Sequence, residues 1–148
     1  MLKSALTHPQ LTAALAGAGH GALVLVADGN YPASTRVGPN ALLVYLNVRP
    51  GLVDAVTILG LVLASVPVEE ALVMAPMAAG PYALEEEPAI WAEFRALLDA
   101  AQVQPPMRAL ERSAFYDAAS SQDVALSIVS GEARIYGNVL LRIGVVLP

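Results

Sequence analysis

The sequence predicts an α/β fold with a mostly parallel sheet flanked by helices, and three observations carry that expectation. Short apolar runs of strand length recur at 22–27, 71–75, 125–130 and 138–147. Helix-period stretches and turn formers stand between them, so helix and strand alternate as βαβ units require. The length, 148 residues, fits one domain with a core of ordinary size.

Each element has a local reason. Thr7-His8-Pro9 reads as a helix start, with Pro9 at the first helical position, where its missing N–H is not needed. Leu11, Ala14, Leu15 and Ala18 then form an i, i+3, i+4, i+7 stripe, and Gly17 and Gly19 end the helix. Ala22 to Ala27 is continuous and rich in Leu and Val, as a strand buried on both faces is. The segment 29–39 is dense in turn formers and reads as a loop. A loop of that length directly after a strand-end Asp suits binding better than mere connection. Residues 41–48 alternate weakly, as a strand or extended segment. Pro50 or Gly51 opens a helix to about Ala64 that is apolar on nearly every face, hence buried on all sides, between layers or between subunits.

Ala71 to Ala75 fits a core strand. Glu85, Glu86 and Glu87 stand before Pro88 as first-turn acids that favour the helix dipole. Ile90, Trp91, Phe94, Leu97 and Leu98 give that helix its apolar face, and Pro105-Pro106 stops it. Arg108 to Glu111 reads as a strand, and Ser113 as the cap of a short helix through Ser120. Ala125 to Ser130 is a strand, Gly131-Glu132 a turn, and Asn138 to Leu147 the last strand.

Composition excludes several functions. Apolar residues make up 56% and charged residues 14%, against ~25% charged in soluble domains. Such a shortage of charge fits either membrane insertion or a surface hidden in an oligomer. The longest apolar stretch, Leu52 to Val66, contains Asp54, Thr57 and Ser65. It is too short and too polar for the roughly 20 residues of a spanning helix. Met1-Leu2-Lys3 leads into Ser-Ala-Leu-Thr-His-Pro rather than a signal core. The expectation is therefore a cytoplasmic homo-oligomer without a membrane partner. A net charge of −5, with Lys3 the single lysine, argues against a nucleic-acid partner. Cysteine is absent, which excludes disulfides, thiolate catalysis and Cys-ligated metals. Two histidines without His-x-x-x-His spacing give no tight zinc site, and no Gly-x-Gly-x-x-Gly or Walker loop is present for a nucleotide. No metal and no cofactor are expected.

The most informative segment is Gly19 to Asn30, where His20 and Asp28 bracket one apolar strand. Ligands of open α/β sheets bind beyond the carboxyl ends of the strands, which puts Asp28 in a position for chemistry. Asp-Gly is also a common turn pair, which accounts for Asp28 without a ligand. His20 stands at the other end of the strand, about 25 Å away if the strand is fully extended. Either the Gly19-His20-Gly21 turn folds back, or a neighbouring chain completes the site. A helix-end cap or an exposed residue is the plainer account of His20, and His8 has no catalytic neighbourhood. Arg112 reads as a ligand contact or as a surface ion pair with Glu111 or Asp117, while Phe115 and Tyr116 read as packing. Tyr136 and Asn138 flank Gly137 at the entrance to an apolar strand and supply neutral hydrogen-bonding groups of the kind that recognise sugar hydroxyls. A hairpin or bulge accounts for the glycine equally well.

Taken together, Met1-Leu-Lys, Gly19-His-Gly, Ala27-Asp28, the Pro32-Ala33 loop, Ala114-Phe-Tyr116, Ser130-Gly-Glu132 and Tyr136-Gly-Asn-Val-Leu-Leu with Gly144-Val resemble the sugar mutarotases of the ribose pyranase and fucose mutarotase (RbsD/FucU) group. The resemblance covers nearly the whole chain. It implies a three-layer α/β fold that assembles into a ring-shaped decamer with sites at subunit contacts. It also implies that His20 acts as proton donor and that Asp28, Arg112, Tyr136, Gly137 and Asn138 bind the sugar. Arg112 stands where the ribose branch carries His, which places the chain nearer the fucose side. The implied activity is interconversion of the α and β anomers of fucose or a related pyranose, with ribose pyranase activity or non-catalytic sugar binding as alternatives.

Overall fold

The computed structural model describes residues 2–147; Met1, which contributes to the resemblance, lies outside them. A six-stranded sheet forms the centre, with strands β1 (Leu23–Ala27), β2 (Leu42–Tyr45), β3 (Val68–Met74), β4 (Arg108–Leu110), β5 (Val124–Val129) and β6 (Val139–Ile143) in the order β2-β5-β1-β6-β3-β4. Helices α1 (Pro9–Gly17), α2 (Ala55–Leu63) and α3 (Ile90–Ala100) cover one face, and α4 (Arg112–Ala119) covers the other.

β1 shows why its residues were needed. Val24 and Val26 pack with α1, α2 and α3, while Leu23, Leu25 and Ala27 pack with Phe115 and Ala119 of α4. Every residue of the strand is buried, as a continuous apolar run in a covered sheet requires.

The sheet is mostly parallel, as expected, with β6 as its one antiparallel strand. β1 with β5, β2 with β5 and β3 with β4 are parallel, whereas β6 runs antiparallel to both β1 and β3. The reason lies in the connection. Residues 130–138 join β5 to β6, and a parallel crossover takes a dozen residues or more. The short link crosses over the end of β1 and β6 returns the other way.

Several element boundaries also move. His8 caps α1, its ring accepting from the Leu11 N–H, with Pro9 first in the helix as expected. α2 begins at Ala55 because the Asp54 carboxylate accepts from the Thr57 N–H at 2.7 Å; residues 49–52 form a tight turn instead. In the single chain this helix buries one face through Ala55, Ile58, Leu59 and Val62, and leaves Val56, Leu61 and Leu63 partly covered. Glu85, Glu86 and Glu87 stand outside α3, whose first-turn acid is Glu93, and the helix stops at Ala100 before the prolines are reached. The cap of α4 is Glu111, not Ser113: its carboxylate accepts from the Ser113 and Ala114 N–H groups. β6 ends at Ile143, and Val145 to Leu147 lie exposed beyond it. No helix among the described residues is long and apolar enough to cross a membrane.

Candidate functional site

The direction of β6 decides what meets at the sheet edge. The carboxyl ends of β1, β3 and β4 all reach one edge, and an antiparallel β6 brings its amino end there too. Asp28, Met74, Arg112, Tyr136 and Asn138 consequently line one cleft of about 310 Å³, together with Asn30, Tyr31, Tyr82, Tyr116 and Ile135. That is the location expected for an open α/β sheet.

Asp28 is the centre of the cleft's hydrogen-bond pattern. Its carboxylate accepts from the Asn30 N–H at 2.9 Å, the Gly137 N–H at 3.2 Å and the Asn138 Nδ2 at 2.9 Å. Its own N–H donates to Asn138 Oδ1 at 2.8 Å. Both residues are buried, and burial holds the Asp28 carboxyl above its ordinary value despite those donors. Gly137 is required by space as well as by its N–H. A Cβ there would stand 2.9 Å from Glu132 Cγ and 3.1 Å from the Arg134 carbonyl.

Arg112 is the first residue of α4, exposed above the cleft. It makes no ion pair with Glu111 or Asp117; its guanidinium lies 5.5 Å from the centre of the Tyr116 ring and 3.4 Å from that hydroxyl. Arg36 sits 5.5 Å from the same ring. Among the described residues neither arginine is paired with a carboxylate within 4.0 Å. Tyr116 is thus a cleft wall as well as packing. The signal was in the sequence, since positions 112 and 116 share a helix face.

Tyr136 has a different part from the one its hydroxyl suggested. That hydroxyl donates to the Tyr82 carbonyl at 2.6 Å and accepts from the Met77 N–H at 3.1 Å. Its carbonyl accepts from Trp91 Nε1 at 3.1 Å, and its backbone is left-handed at φ +61°. The residue straps segment 77–82 across the cleft. No sequence signal pointed to this, because the segment lies more than fifty positions away.

His20 is not in the cleft. It lies in the turn before β1, at the opposite edge of the sheet, with its side chain 60% exposed. Its Nε2 is 3.0 and 3.2 Å from the two Glu69 carboxylate oxygens. Gly21, left-handed at φ +82°, donates to the Ile143 carbonyl at 2.8 Å, and Arg142 donates to the Gly21 carbonyl at 3.1 Å. The turn is pinned to the end of β6 and does not fold back. Within the single chain His20 and the cleft therefore do not meet. Among the described residues no group of three or more His, Asp or Glu side chains is arranged to hold a metal ion.

The chain is similar to other proteins along nearly its whole length. Residues 1–146 match the RbsD / FucU transport protein family. The chain belongs to that family. Human fucose mutarotase is 32% identical over 144 residues, spanning 95% of this chain and 90% of the relative. The crystal structure of FucU from Bifidobacterium longum superimposes with a TM-score of 0.78 at 30% identity, covering 95% of each chain. The fucose mutarotase of Streptococcus pneumoniae, solved in complex with L-fucose, gives 0.78 at 25% identity over 95% of this chain and 94% of the other.

Proposed function

We propose that this protein is a mutarotase that interconverts the α and β anomers of L-fucose or a closely related pyranose. The observation that carries the reading is the Asp28–Gly137–Asn138 cradle, set beneath Arg112 in a cleft of monosaccharide size. Its kinship with fucose mutarotases supplies the substrate class.

The chemistry follows from the groups. In ring opening the bond between C1 and the ring oxygen breaks, the anomeric hydroxyl loses its proton, and the ring oxygen gains one. A single imidazole can take the proton from the hydroxyl and return it to the ring oxygen, leaving an aldehyde; reclosure on either face reverses the path. Histidine suits this near neutral pH. His20 is the acid/base, Asp28 and Asn138 orient hydroxyls, Arg112 closes over the ring, and Tyr136 and Gly137 shape the cradle. Because His20 and the cleft occupy opposite sheet edges, each site combines His20 of one subunit with the cleft of another, in a ring-shaped homo-oligomer, by family resemblance a decamer. The reaction requires no cofactor.

Saturation-transfer NMR on L-fucose, D-ribose and D-galactose tests the reading. Accelerated exchange is expected with L-fucose foremost, lost in His20→Ala. Equal exchange rates with and without protein for every sugar would sink it, and binding without acceleration would identify a sugar-binding protein instead.

A further inference from the structure

The arginines of the chain divide by whether a carboxylate neutralises them. Arg95, Arg108, Arg134 and Arg142 each pair with a glutamate. Among the described residues Arg36, Arg49 and Arg112 have no carboxylate within 4.0 Å, and all three border the cleft. Arg49 lines a shallow hollow with Gly29 and Asn30, and Asn30 also lines the cleft. Arg36 and Arg112 each place a guanidinium 5.5 Å from the centre of the Tyr116 ring, a wall of the cleft. The Arg36 side chain is exposed, but its backbone is fixed. Its N–H donates to the Pro32 carbonyl at 2.9 Å, and its carbonyl accepts from the Tyr31 hydroxyl at 3.1 Å. Glu111, next to Arg112 in the chain, is engaged as the cap of α4. Asp28, the carboxylate that lines the cleft, already accepts from three protein donors. A chain of net charge −5 thus keeps uncompensated positive charge around its cleft, where it draws in anions.

We infer that the cleft also takes pyranoses carrying an anionic group away from C1, a carboxylate or a phosphate, and that Arg36 together with Arg112 binds that group. A guanidinium presents a rigid fork of N–H donors that matches the oxygens of either anion. The Tyr116 ring holds both forks at the rim, its cation–π attraction offsetting the repulsion between two like charges. Asp28 and Asn138 are left to orient neutral hydroxyls, and the proton transfers at C1 and the ring oxygen are those given above. This inference rests on the cleft being the sugar site of the proposed mutarotase. It adds a substrate class to that site: hexuronates or hexose phosphates beside neutral sugars.

D-galactose, D-galacturonate and D-galactose 6-phosphate differ only at C6, and they test the inference by calorimetry and anomer exchange on the full-length protein. At least one of the two anions is expected to bind about tenfold more tightly than D-galactose, a difference of about 1.4 kcal/mol. Which of them does so tells a carboxylate from a phosphate. The advantage should shrink as salt is raised, vanish in Arg36→Gln and invert in Arg36→Glu. Arg36 is exposed and unpaired, so the thermal midpoint of each variant should hold and show that it is folded. D-galactose binding as tightly as both anions would overturn this inference and leave the mutarotase reading standing. An anion advantage that survives Arg36→Glu would do the same. Unaccelerated exchange for all three sugars and for L-fucose would overturn the mutarotase reading, and the anion site would then stand or fall on the calorimetric preference.

Discussion

Asp28 and Asn138, 110 positions apart in the chain, hold each other through two reciprocal hydrogen bonds, one from the Asp28 backbone at 2.8 Å and one from the Asn138 amide at 2.9 Å. The amide thereby keeps the carboxylate facing the cleft and satisfies a buried N–H that has no strand partner. Asn138→Ala removes both bonds. An unmet buried donor costs about 1–3 kcal/mol, so the urea midpoint should fall at fixed protein concentration, and sugar binding by calorimetry should be lost. An unchanged midpoint would contradict the role given to Asn138.

Tyr136→Phe keeps the ring and deletes the hydroxyl that joins Met77 to Tyr82. Segment 77–82 should then exchange its amide hydrogens faster, KM should rise, and stability should fall by about 1 kcal/mol, the worth of an ordinary hydrogen bond. A Phe variant with unchanged exchange over 77–82 would show that the strap does not depend on this hydroxyl.

Mixing subunits tests the proposed sharing of a site between chains. His20→Ala and Arg112→Ala should each be nearly inactive as pure assemblies. After joint unfolding and refolding, mixed assemblies should regain part of the native exchange rate, because some contacts pair an intact His20 with an intact cleft. No recovery in assemblies shown by native mass spectrometry to be mixed would mean that both groups act within one chain.

Two buried carboxyls predict opposite responses to pH. The hydrogen bonds from Arg134 outweigh burial at Glu132 and hold its carboxyl below the ordinary value of 4.5. Its stabilising contribution is therefore present above 4.5 and lost as pH falls through the lower folded value. Glu132→Gln should flatten the acid limb of the stability profile. Asp28, raised above 3.8 chiefly by burial, acts the other way. Its contribution favours folding below 3.8 and is lost as pH rises through the folded value. Thermal unfolding between pH 3 and 7 in Glu132→Gln and in Asp28→Asn would separate the two.

Much of this was legible in the sequence because the determinants were local. Leu23 to Ala27 could only be a fully buried strand, Pro9 opened a helix, and the length of β1 alone put His20 and Asp28 at opposite ends. Strand direction was not local. Nothing between Ser130 and Asn138 announces an antiparallel return except its shortness, yet that return brings Asn138 to Asp28. Capping was a competition between neighbours, and Glu111 won over Ser113 because its longer carboxylate reaches two free N–H groups. The Tyr136 hydroxyl was misread because its partners, Met77 and Tyr82, come from a distant loop.

β6 also works as a gauge. Asn138 precedes it and Arg142 and Gly144 mark its far end, so its five residues, about 17 Å of extended backbone, set the spacing between the cradle and the histidine turn. A strand locked on both sides cannot stretch. Changes in loops 29–39 and 77–82 can reshape what the cleft admits without altering that spacing, so sugar preference and assembly geometry are free to diverge independently.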